Sequence, residues 1–230
     1  MPYVEDLCIN MPSEFPARVF STFLEAARKA LTESDGAAAQ GIEFGLASNI
    51  IAWRYRTAHE ALEFLRGRYS TTTGPTDHED RYERERALFT LFTGGVSCID
   101  ACTYAIAAYC SKVVGFQFEE KEQRNYKLKN LREWITPFPK STNLSNVIEN
   151  IENSNEWDFW KDVRNRLSHR GNLPGIIVAA AGAPPPKVNP ILFSKTTSTD
   201  AIDMSVQDLN AHFEWLTNTL LCLMRETVAL

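Results

Sequence analysis

Arg164, Asn165 and His169 are the residues of this chain whose types and spacing best suit chemistry on a phosphate. They lie in the run Trp-Asp-Phe-Trp-Lys-Asp-Val-Arg-Asn-Arg-Leu-Ser-His-Arg-Gly, residues 157–171. A guanidinium stays charged at any physiological pH and presents forked donors, so Arg164 needs an anion or hydrogen-bond acceptors and could bind one. Imidazole titrates near neutrality, so His169 suits general acid or base work. Asn165 can orient the imidazole or donate a hydrogen bond to the phosphate. Arg166, Ser168 and Arg170 are candidates for holding neighbouring phosphates.

A helix must position them. Trp157, Trp160, Val163 and Leu167 recur at helical spacing and form one apolar stripe. Gly171 supplies a left-handed C-cap, and Pro174 blocks continuation. On an ideal wheel Arg164 lies about 40° from Trp160, inside the stripe, where a permanent cation needs an anion or acceptors. His169 sits one turn beyond Asn165, in the last turn, where the helix dipole favours the imidazolium. Arg164 and His169 diverge by about 140° on that wheel, an awkward angle for two groups on one substrate. A frayed last turn or a second subunit relieves it.

Arg164-Asn165-Arg166-Leu167-Ser168-His169 resembles the Arg-polar-(three residues)-His motif of the HEPN superfamily of small α-helical proteins. The resemblance covers six residues as a motif and roughly residues 41–228 as an order of helices. It implies a metal-independent endoribonuclease without a cofactor, in which the 2′-hydroxyl of an RNA attacks its own phosphate. In that reading Arg164, Asn165 and His169 are catalytic. It further implies a homodimer with two 157–171 helices facing across a shared cleft, and a toxin–antitoxin or phage-defence setting with an antitoxin protein as partner. Some members keep the fold without known catalysis. The alternative is therefore a non-catalytic helical module that binds a nucleotide, RNA or a protein.

Composition bounds these readings. The 230 residues are 44% hydrophobic and 23% charged, ordinary material for one domain with a sizeable core. A net charge of −5 argues against non-specific binding to a long nucleic-acid backbone, though not against a local site. Met-Pro-Tyr-Val-Glu-Asp has neither the basic start nor the apolar run of a signal peptide. Five cysteines, three of them in one apolar stretch, point to a reducing, cytoplasmic protein without disulfides.

Along the chain, residues 1–16 read as an extended arm, with prolines at 2, 12 and 16. Helices are expected over 17–31 and 42–69, the second burying Leu46, Ile50, Trp53, Ala61, Phe64 and Leu65. Asp77 caps a third, over 79–111, whose run from Ala87 to Ser111 holds one charge, Asp100. That run meets the length criterion for a membrane span. Gly94-Gly95, Ser97, Thr103, the central Asp100 and the lack of flanking Lys/Arg asymmetry instead favour a bundle helix with Asp100 paired, Arg164 being the candidate partner. A charged helix follows over 119–135, then a short one over 144–151 capped by Ser141. Residues 172–204 form an irregular, weakly constrained insert, with candidate strands at 175–178 and 190–193. Ser205 or Asp203 caps a last amphipathic helix through Leu209, Phe213, Leu216, Leu220 and Leu223. The expected fold is one all-α, mostly antiparallel helical bundle with no membrane partner. Cys98, Cys102 and Cys110 read as core, and the four histidines lack zinc-finger spacing, so no metal site is assigned. His59 and His78, each beside a glutamate, read as surface pairs.

Overall fold

The structure is a computed structural model and describes residues 1, 3–32, 38–71, 77–118, 125–169, 193–195, 198–202 and 206–230. Seven helices account for most of it: α1 (Ala17–Thr32), α2 (Ala38–Thr71), α3 (His78–Val113), α4 (Leu128–Ile135), α5 (Thr142–Glu152), α6 (Asn155–His169) and α7 (Val206–Val228). Two antiparallel strand pairs complete it, β1 (Tyr3–Val4) with β2 (Ile9–Asn10), and β3 (Phe193–Lys195) with β4 (Ser198–Ile202). The architecture is an all-α helical bundle.

Its frame is the α2–α3 hairpin. Tyr104 donates to Glu43 (2.7 Å), the Cys98 thiol to the Ile51 carbonyl (3.2 Å), and Arg68 to Glu83 (2.5 Å), so the two helices run antiparallel over their whole length. Asp77 starts α3 by accepting from the Asp80 amide (2.8 Å). Two more helices pack on the frame: α7 runs antiparallel to α2, with Tyr55 and Thr217 sharing a hydrogen bond at 2.7 Å and Arg66 donating to Asn210 at 2.7 Å. Against α3 lies α6. Gly95 makes its seat, since a Cβ at that position would lie 2.6 Å from Cη2 of Trp160 and nearer still to Cζ3. Gly94 faces the other way, toward Ala58 and the Arg54 carbonyl, both 3.3 Å from its would-be Cβ. Consecutive helical residues point about 100° apart, so this pair lets α2 and α6 approach two faces of α3 at one level.

α3 contains a window apolar and long enough to cross a membrane, and 72% of that window is buried inside the protein. Its apolar length is thus matched by helices packed around it. Cys98, Cys102 and Cys110 are fully buried within it.

Several expectations are corrected. The side of α2 turned inward carries Phe44, Ala47, Ile51, Tyr55, Ala58 and Leu62, whereas Leu46, Ile50 and Trp53 are exposed. Both sides of that helix are apolar, and periodicity cannot choose between them. Residues 1–16 are not a free arm, because Met11 and Phe15 are buried in the core. Within the expected helix 119–135 only α4 is helical among the described residues; Lys127 is extended and precedes its first turn. Ser141 stands at the N-cap of α5 without a side-chain capping bond. Its hydroxyl donates instead to the Ile135 and Phe138 carbonyls, tying the α4–α5 turn. His59 is buried and faces Glu14 (3.6 Å) and Glu63 (3.9 Å). Residues 172–192 lie outside the described residues, as do Gly171 and the proposed caps Asp203 and Ser205. The observed strands follow that stretch and overlap the expected 190–193 only at Phe193.

Candidate functional site

Helix α6 is set into the bundle by its aromatic side chains. Trp160 is fully buried, tilted against Phe92 (centroids 4.9 Å apart) and stacked on Trp215 of α7 (6.5 Å). Phe159 stacks on His212 at 4.2 Å, and His212 Nδ1 meets Glu156 Oε2 at 2.7 Å. Trp157 and Val163 extend the buried stripe as the periodicity requires, with Leu167 half-buried. The contacts of residues 159–160 fall near α3 residues 92–95, and Arg164 faces Asp100, so α6 rises alongside α3 in the same direction.

The polar end of α6 sits above this anchor. Asn165 and Ser168 are exposed. Arg164 is half-buried, with its Nε enclosed and without a hydrogen-bond partner, and it makes no ion pair within 4 Å among the described residues. Its charge nevertheless reaches Asp100. Burial of the Asp100 carboxyl raises its pKa above the ordinary carboxylate value, and Arg164, then Lys127, pull it back down. Asp100 as a residue is exposed, crowded enough by neighbouring protein to lose part of the hydration of its carboxyl, and not sealed in the core as the lone charge of an apolar run would suggest. The sequence pairing of Asp100 with Arg164 is thus met as an electrostatic neighbourhood, not as a salt bridge.

Arg166 departs furthest from expectation. It is only 6% exposed, paired with Asp162 one turn back, and its Nε and Nη1 are buried without partners. Such a guanidinium cannot hold a phosphate from where it lies. The backbone of His169 closes α6 one turn beyond Asn165, while its side chain and all of Arg170 lie outside the described residues.

Lys127 is the residue that sequence reasoning missed. It reaches the Asp100–Arg164 neighbourhood from the segment before α4, and no spacing connects it to the 157–171 run. Arg164 and Lys127 both act on the Asp100 carboxylate, and with the exposed Asn165 and Ser168 at the same end of α6 they form a polar neighbourhood. It can attract an anion of the size of a phosphate and donate hydrogen bonds to it. Among the described residues no group of three His, Cys, Asp or Glu is placed to hold a metal ion. Comparison of the chain with protein-family models, curated proteins and solved structures gave no match.

Proposed function

We propose that the protein is a HEPN-like endoribonuclease that cuts RNA by transesterification without a metal, acting as a homodimer in the cytoplasm. The observation that carries this reading is the end of α6, where half-buried Arg164 lies among the exposed Asn165 and Ser168 on a helix that Trp160 fixes in the core. In the reaction, His169 takes the proton of a ribose 2′-hydroxyl, whose oxygen attacks the adjacent phosphorus. The bond to the 5′-oxygen breaks, that oxygen takes a proton from water as it leaves, a 2′,3′-cyclic phosphate remains, and His169 returns its proton to solvent. Arg164 neutralises charge on the crowded phosphorus, and Asn165 orients the imidazole or donates to the phosphate. Asp100 and Lys127 bracket Arg164, and Ser168 and Arg170 contact neighbouring phosphates. A toxin–antitoxin or phage-defence role, with an antitoxin protein as partner, follows from the same resemblance.

The second reading, a non-catalytic module that binds a nucleotide, RNA or a protein, is favoured by one observation. Burial of Arg166 removes a cation from an already acidic surface. Single-stranded RNA incubated with purified protein in EDTA separates the two. The ribonuclease reading expects cleavage, and loss of it by about a hundredfold or more in His169→Ala and in Arg164→Ala, each with a native helical spectrum. Binding without cleavage selects the module, and full activity in His169→Ala assigns the cleavage to something other than this site and removes the support for the ribonuclease reading.

A further inference from the structure

Four large apolar side chains stand in water along one stripe of α2: Ile42 (64% exposed), Leu46 (56%), Ile50 (42%) and Trp53 (59%). Their spacing keeps them within about 80° of one another on the helix, so they form a continuous ridge over three turns. This is the stripe that periodicity assigned to the core and that the fold leaves outside, the opposite side of α2 being spent on α3. We propose that a second copy of this chain covers it, α2 packing antiparallel on α2 about a two-fold axis.

Area and charge select that occupant. The four side chains present on the order of 500 Å² of apolar surface, at the upper end for the largest patch on a monomer. That is more than half of the roughly 800 Å² per partner buried in a standard interface. An isologous contact must also be self-complementary. Glu43, half-buried with Oε2 taken by the Tyr104 hydroxyl and Oε1 left for a partner, and the exposed Arg54 lie on the same flank of the stripe, near its two ends, and Arg54 has no ion pair among the described residues. A two-fold axis maps that flank onto the same side of both helices. Crossing between Ser48 and Asn49, it sets Glu43 of each copy opposite Arg54 of the other. At about 1.5 Å rise per residue, the same crossing places Leu46 of one copy at a height between Ile50 and Trp53 of the other, so the ridges interleave. Gly45 adds no bulk beside the ridge; a Cβ there would meet nothing within 4 Å. The inference goes beyond the ribonuclease reading and stands without it: the α6 cleft would be a second two-fold contact on the same chain, so a chain that uses both assembles beyond a dimer, and Leu46→Glu would return it to the α6-paired dimer.

Sedimentation equilibrium without RNA, with crosslinking, tests it. The wild-type chain is expected to dimerise at micromolar concentration. Leu46→Glu and Trp53→Glu should each raise the dimer dissociation constant by at least about a hundredfold with unchanged helical content. Arg54→Glu should weaken the dimer, and adding Glu43→Arg should restore it. In a background with Cys8 and Cys222 replaced by serine, Asn49→Cys, beside the axis, should crosslink to its own copy with a short thiol reagent. Glu60→Cys, further along the same helix, should not. A wild-type chain that stays monomeric overturns the proposal, and co-sedimentation of that monomer with neutral phospholipid vesicles gives the stripe to a lipid surface. A wild-type dimer whose dissociation constant Leu46→Glu leaves unchanged, or that forms without Asn49→Cys crosslinking, is held by another face and overturns it equally.

Discussion

Arg164 and Arg166 differ by two positions and by most of their access to water. The wheel assigned Arg164 to the apolar stripe, and Arg166 was expected to hold a neighbouring phosphate. In the bundle α6 is flanked by α3, α5 and α7, so more than one side is covered, and a long aliphatic stem can carry a guanidinium across apolar surface. The stripe of Trp157, Trp160 and Val163 was legible because it depends on one period. Burial of Arg166 was not, because it depends on which neighbours close over the helix. Its only ion-pair partner among the described residues is Asp162, which is half open to water. Asp162→Ala therefore leaves a buried cation uncompensated and should lower stability by about 1–3 kcal/mol. Arg166→Met removes a guanidinium with orphaned donors and should cost less than that. Urea unfolding of both variants reads the order directly.

Asp100 gives a second prediction at this scale, with its sign fixed by the raised pKa. A carboxyl whose folded pKa lies above its unfolded value binds more protons in the folded state within that window. Stability is then lost as pH rises from the ordinary carboxylate value through the folded pKa, and the penalty is complete above it. Asp100→Asn carries no such penalty. Relative to the variant, the wild-type protein should lose stability as pH rises through that window, and the difference should level off above it. Unfolding midpoints measured from pH 3.5 to 7.5 test this; a gap that changes in the opposite sense contradicts the placement of Asp100.

At the scale of elements, most of the helices were legible from hydrophobic period and punctuation, from the Asp77 cap to the amphipathic α7. Where the pattern is apolar on two sides, as in α2, the sequence names the helix but not its inner face. Gly94 and Gly95 show another limit. As residues they advertise only weak helix propensity, and their meaning, the seat of α6 and the crossing of α2, exists only between helices. Gly95→Ala must push the fully buried Trp160 aside, and should cost about 2 kcal/mol or more, lowering the melting temperature by about 4–8 °C. Gly94→Ala meets contacts at 3.3 Å, and its gain in helix propensity, about 1 kcal/mol, should leave it within about 1 kcal/mol of wild type. Combining Gly95→Ala with Trp160→Phe should cost less than the sum of the two, which thermal denaturation of the cycle measures.

At the scale of the whole molecule, the all-α bundle was legible because seven helical patterns separated by breaks allow little else. The candidate site was legible in its α6 half only. Lys127 joins it through a turn of the chain that carries no signature, and Asp100 arrives from the middle of a run that reads as core. An acidic protein with one small basic neighbourhood should contact RNA over a few phosphates, so its affinity should depend only shallowly on salt.

The proposed reaction needs a 2′-hydroxyl, so a strand of DNA containing a single ribonucleotide separates it from any other cleavage. In EDTA, the wild-type protein should cut only on the 3′ side of that ribonucleotide and leave a 2′,3′-cyclic phosphate, and His169→Ala should leave the strand whole. An uncut strand under conditions where all-RNA is bound, a cut in the all-deoxy strand, or a cut by His169→Ala would contradict the account.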